Sequence, residues 1–146
     1  MNNTNLTTAY IKRIRDISDI SINLSLLDIK NIDTCSFLLI VQSHFEKFAK
    51  LTIYPINKEK IIKLSLSGLN VSNEIFEVLS KILHKFQIIH TSGLLLKEKQ
   101  LLYECYLNLN FSEKKSEDLK TSIDKIKNRF KEIKLEEISL KTIKNH

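Results

Sequence analysis

Ile62, Leu64 and Leu66 alternate with Lys63 and Ser65 between Ile61 and Leu66, a period of two that gives a strand one strongly apolar face. The strand runs into Ser67-Gly68-Leu69-Asn70. There Gly68 relieves the steric limits on a turn, and Asn70 or Ser72 is placed to cap a following helix. From Ser72 to Phe86 the apolar residues Ile75, Val78, Leu79, Ile82, Leu83 and Phe86 recur at intervals of three and four, so they share one helical face that must be buried. Gln87 to Leu96 returns to strand character. Leu101 to Leu109 places Leu101, Tyr103, Cys105, Leu107 and Leu109 on one side, and Lys97-Glu98-Lys99-Gln100 is a charged connection of hairpin length. The two strands are expected to pair antiparallel.

Ser112 opens a second helical pattern, with Glu113, Glu117 and Asp118 early and Lys125, Lys127 and Arg129 late, an order that suits the helix dipole. Leu119, Ile123, Ile126 and Phe130 mark its buried face. A last strand near Glu132 to Leu140 carries Ile133 and Leu135 in one parity and Ile138 and Leu140 in the other. A bulge near Glu136 or Glu137, or a shorter strand, reconciles them.

Strand, helix, strand, strand, helix, strand is the order of a ferredoxin-like βαββαβ unit, an α+β fold in which two helices cover one face of an antiparallel sheet. It is expected over residues 57–146. Ile61, Ile89, Leu95, Leu102 and Tyr106 fall toward the face without helices, so they are candidate interface residues.

Residues 1–56 read as an N-terminal α/β extension packing on the core sheet. Leu6 to Ile17 predicts a short helix bearing Lys12, Arg13 and Arg15, and Ile20 to Leu27 predicts a strand. Cys35 to Phe48 fits both periods; β-branched and aromatic content favours a strand over Phe37 to Gln42, near the Leu51-Thr-Ile-Tyr54 run. Tyr54 to Lys58 predicts a turn, since Pro55 holds Tyr54 extended and removes one backbone donor.

The chain has 146 residues and 42% hydrophobic composition, enough for one packed core. Its 2 glycines and 1 proline exclude collagen-like and linker-rich architectures. With 23 basic and 17 acidic side chains the formal charge is +6, a weak attraction toward anionic partners. The lysines alternate with Glu59, Glu98, Glu113 and Asp124, which describes a mixed, solvated surface better than a phosphate track. Met1 to Thr8 lacks the order of a signal peptide, and no apolar run approaches the ~18 residues of a membrane span. A cytoplasmic protein with no membrane contact is expected.

Candidate chemistry is sparse. Cys35 and Cys105 form no CxxC pair and have no suitably spaced histidines, so neither zinc nor a disulfide framework is signalled. His44, His84, His90 and His146 show no HxxxH or HExxH spacing, and phosphate-cradling glycine motifs are missing. No catalytic set, cofactor or metal is expected. Tyr103 and Tyr106 fall on opposite faces of their strand, so they form no stacking platform for RNA. Lys125, Lys127 and Arg129 remain the nucleic-acid candidates.

On Leu64-Ser-Leu-Ser-Gly68-Leu-Asn70 and Ile88-Ile-His-Thr-Ser-Gly93, the region 60–140 resembles the ACT family of small-molecule-binding regulatory domains. Ser67-Gly68-Leu69 stands where that family often has an acidic residue before Pro-Gly. The resemblance implies a ligand site at Gly68, Leu69 and Asn70, faced by His90 and Ser92. The reading is therefore a noncatalytic regulatory or assembly module, not an enzyme. Its expected partners are further copies of itself or the subunits of a larger complex, with a small effector such as an amino acid. A basic nucleic-acid-associated protein is the disfavoured alternative.

Overall fold

A computed structural model describes residues 6–15, 29–68 and 73–140. The chain is mixed α+β with antiparallel sheets and, among the described residues, two α-helices. It carries more strands than the six-element order read from the sequence. Two compact units are formed by the described residues: Ile61–Glu137 with Leu6, and those within Thr7–Lys60 with Ile138 to Leu140.

The larger unit is built on β4 (Lys60–Gly68), β5 (Ile88–Thr91), β6 (Leu95–Lys97), β7 (Gln100–Leu107) and β8 (Glu132–Ser139). Its strand order is β5-β7-β4-β8, with β6 also paired to β7. β4 and β7 run antiparallel with Leu64 opposite Cys105, and β5 runs antiparallel to β7 with a register shift between Ile88 and His90. β8 starts where Lys131 donates its N–H to the Ser67 carbonyl at 2.9 Å. The expected second strand, Gln87 to Leu96, is thus divided, because Ser92, Gly93 and Leu94 interrupt it and Gly93 takes φ 73°.

Helix α1 (Asn73–His84) follows β4, and α2 (Lys115–Asp124) follows β7. Ile75, Leu79, Ile82 and Leu83 of α1, with Leu119 and Ile123 of α2, pack in one core with Ile62, Leu64, Leu66, Cys105 and Leu107. Period 3.6 and period 2 thus meet on one side of the sheet. Ile126 and Phe130 join this core, but a 3-10 turn over Lys127–Arg129 replaces the expected continuation of α2. Ser112 does not cap α2 by position, since the helix begins after Lys114, which makes no side-chain capping bond.

The smaller unit carries β1 (Thr7–Arg13), β2 (Phe37–His44) and β3 (Ala49–Ile56) in the order β1-β2-β3. β1 corrects the expected helix over Leu6 to Ile17. Thr7 and Ile11 are buried on one parity, and β1 pairs along its length with β2, Ile11 opposite Leu39. β-branched and aromatic residues fit that pleated surface better than a helix. β2 is the middle strand, and Leu38, Leu39, Ile40 and Val41 are all buried. Pro55 also departs from expectation: it lies inside β3, opposite Leu38, instead of in a turn. β3 ends the strand order, and an edge strand tolerates a residue without an N–H. Leu140 forms a parallel bridge with Ile11. The predicted strand over Ile20 to Leu27 lies outside the described residues. No described helix is long and apolar enough to cross a membrane.

Candidate functional site

The odd-numbered residues of β4 face away from the two helices. The register sets Lys63 opposite Tyr106 and Ser65 opposite Glu104, which brings a cation and an anion onto neighbouring strands. Lys63 Nζ lies 3.4 Å from Glu104 Oε2, and each side chain is only 5% exposed. The same ammonium sits 5.8 Å from the centroid of the buried Tyr106 ring. Glu104 Oε2 also accepts the Leu6 N–H at 3.4 Å. In a desolvated pair held this way each charge offsets the other's burial cost, so the pair is a poor reservoir of free charge.

Ser92 extends this network. Its Oγ accepts the Glu104 N–H at 3.0 Å and donates to the Gly93 carbonyl at 2.9 Å, while its own N–H donates to the Glu104 carbonyl at 2.8 Å. The ring of His90 lies 6.1 Å from that of Tyr106, tilted by 57°. His90 and Ser92 are therefore brought together beside β7. Gly68 is buried at the end of β4 opposite Leu101, near the start of β7, whereas Glu104 lies midway along that strand. Leu69 and Asn70 lie outside the described residues. A cleft of about 180 Å³ on this side is bounded by Leu6, Ser65, Ser67, Glu104, Lys131 and Lys134.

Cys105 projects into the opposite, helix-covered core, and burial pushes its thiol up to about 12, with a Tyr103 hydrogen bond opposing and the Glu104 charge adding to the rise. It holds its proton at neutral pH, so it is not an activated nucleophile. Among the described residues no group of three or more His, Cys, Asp and Glu side chains is placed to hold a metal ion.

The interface candidates divide. Ile61 and Tyr106 are fully buried and Leu102 is nearly so. Ile89 is half-buried and Leu95 is exposed. Lys125, Lys127 and Arg129 are all exposed at the end of α2 and the 3-10 turn, with Lys127 Nζ 3.7 Å from Asp124 Oδ1.

A surface of which the sequence reading named only Leu95 lies at the β5 end of the sheet. Ile88, Leu94, Leu95 and Leu96 are exposed by 40%, 47%, 43% and 75%. Ile88 and Leu94 also line an apolar cleft of about 310 Å³ with Phe76, Leu79, Leu83 and Tyr103. Ser80 and His84 close that cleft and continue into a shallow depression shared with Lys81 and Lys85. The signal for this surface was present in the sequence as Leu94-Leu95-Leu96, because three successive leucines cannot all face one side of a strand.

Compared with family models and with curated proteins, the sequence matches none.

Proposed function

We propose that the protein is a noncatalytic, cytoplasmic regulatory or assembly module that acts through protein–protein contacts, and that Ile61–Glu137 is a ferredoxin-like βαββαβ unit of ACT-like kind. The strand order β5-β7-β4-β8, with one helix after β4 and one after β7, supports the fold reading. In this reading β6 is an extension of the second strand.

The observation that carries the functional reading is the run Ile88, Leu94, Leu95 and Leu96, all exposed beside an apolar cleft at the end of the sheet. Isolated surface leucines are ordinary, but several exposed apolar side chains gathered at one sheet edge beside an apolar cleft mark an interaction surface. The contact region therefore moves from the middle of the second sheet face, where Ile61 and Tyr106 are already withdrawn from solvent, to the edge around Leu95. The nucleic-acid alternative draws less support, since Lys127 already faces Asp124 and the neighbouring charges share no aromatic platform.

Sedimentation velocity across a concentration series, with affinity capture from the native source, tests the reading. Self-association or a stoichiometric partner, lost in Leu95→Glu/Leu96→Glu, is expected. A monomer at every concentration that retains no stoichiometric partner overturns it.

A further inference from the structure

The geometry points to the β5 edge as a docking site for an extended acidic protein segment, one that seats large apolar side chains in the Phe76–Leu83–Leu94 cleft and sets carboxylates against Lys81, His84 and Lys85. This rests on the protein-contact reading above and names the partner's chemistry.

Two adjoining surfaces carry it. The apolar cleft is lined by Phe76, Leu79, Leu83, Ile88, Leu94 and Tyr103. Through Ser80 and His84 it opens onto a depression whose other walls are Lys81 and Lys85. All three basic side chains are exposed, and among the described residues none of them makes an ion pair. Lys81 and His84 occupy the last turn of α1, where the helix dipole favours cations. That explains the placement of Lys81 and leaves its charge, with that of Lys85, available to a partner.

The apolar surface does not stop at the cleft. Leu96, three-quarters exposed and paired with Leu101, continues it along β6 on the Tyr103 side, while Leu95, paired with Leu102, is exposed on the opposite face of the same edge. A small ligand filling the cleft alone leaves Leu96 in water, whereas a polypeptide lying along the edge covers it. β5 ends the strand order, so an extended segment reaching it can add beside an existing strand, with side chains alternating between cleft and solvent. A second copy of the chain is the poorer occupant: a two-fold contact through this patch brings two Lys81–Lys85 rims into one interface, where like charges oppose each other.

Fluorescence anisotropy with labelled synthetic peptides tests the proposal on the full chain. The probes are an alternating leucine–glutamate peptide and its leucine–lysine and leucine–serine counterparts. The leucine–glutamate peptide should bind at least about tenfold more tightly than either counterpart, with affinity falling as salt rises. Lys81→Glu/Lys85→Glu should weaken it by about tenfold or more, and Leu94→Ser should weaken all three peptides. Lys125→Glu/Lys127→Glu changes net charge equally and should leave the preference intact. Circular dichroism verifies that each variant is folded.

Equal binding of the three peptides, no binding of the acidic one, or equal loss in the two charge-reversal variants overturns the proposal. So does tighter binding of a single-stranded RNA oligomer that competes with the acidic peptide. If the wild type self-associates through Leu95 and Leu96 while ignoring the acidic peptide, this inference fails and the assembly reading stands. If it neither associates nor retains a partner, the assembly reading itself fails.

Discussion

Lys63 Nζ and Glu104 Oε2 lie 3.4 Å apart on neighbouring strands, each side chain only 5% exposed, with the ring of Tyr106 beside the ammonium. Attraction between the two charges offsets a large desolvation cost, so their joint removal is far milder than the loss of either one. Glu104→Ala should destabilise the fold by about 3–5 kcal/mol, because it removes the counter-charge of a buried cation. The pair Lys63→Met/Glu104→Leu should return to within about 1–2 kcal/mol of wild type. Urea denaturation of the two single variants and the double variant measures the coupling, and an additive result contradicts it.

Cys105 supplies a pH prediction. Burial raises its thiol from an ordinary 9.0 to about 12, and burial also raises the Tyr103 hydroxyl above 10.0. Below pH 9 the folded and unfolded chains both hold the Cys105 proton, so stability is independent of this group. Between 9 and 12 the unfolded chain releases the proton while the folded chain keeps it. The unfolded state then binds fewer protons, and stability falls as pH rises, by at most ~1.4 kcal/mol per pH unit for one group. Cys105→Ala should flatten that slope whatever its effect on absolute stability. Below pH 9, half-buried Cys35 should react with a thiol reagent well before Cys105.

Phe45 and Phe48 stack across the β2–β3 connection, with ring centroids 4.5 Å apart and planes 18° from parallel. The Phe45 N–H donates to the Phe48 carbonyl at 2.9 Å, so backbone and rings close the same hairpin. Both rings are more than half exposed, and their stacking is worth about 0.5–1.5 kcal/mol. Phe48→Ser should therefore cost roughly 1 kcal/mol. Leu39→Ala, at a fully buried position of the same sheet, should cost about 2–5 kcal/mol. Similar losses at the two sites in equilibrium denaturation contradict this ranking.

Elements that bury one face were legible in the sequence. Ile62, Leu64 and Leu66 announce β4, and Ile75, Leu79, Ile82 and Leu83 announce α1, because each period meets the same core. β1 was misread because its window supports two patterns: Leu6, Tyr10, Ile14 and Ile17 follow a helical spacing, while Thr7, Ala9 and Ile11 follow a strand. Pairing with a distant β2 decides between them, and no local pattern contains that information. The buried ion pair was hidden for a related reason. Lys63 within a strand reads as a solvent-facing residue until the register brings Glu104 beside it. Pro55 read as a turn because only the strand order reveals β3 as an edge. The candidate ligand residues His90 and Ser92 both lie against β7, His90 beside the Tyr106 ring and Ser92 bonded to the Glu104 backbone, and neither β7 partner had a sequence signature.

The β6–β7 connection offers a test of local strain. Lys97 pairs with Gln100, so Glu98 and Lys99 alone form the turn, with φ of 51° and 64°. Two successive positive φ values belong to the type I′ hairpin turn, which matches the right-handed twist of its strands and favours Asn followed by Gly. Here both positions carry long side chains that pay a steric penalty in the left-handed region. Glu98→Asn/Lys99→Gly should stabilise the protein by about 0.5–1 kcal/mol, after the extra chain entropy that glycine gives the unfolded state. Thermal denaturation should then show a melting temperature higher by a few degrees. Lys99→Val should lower it, because β-branching is poorly accommodated at positive φ. The turn sets the position of exposed Leu95 and Leu96, which register against Leu102 and Leu101. Relieving its strain should therefore leave docking at the β5 edge unchanged, whereas disrupting it with valine should weaken both.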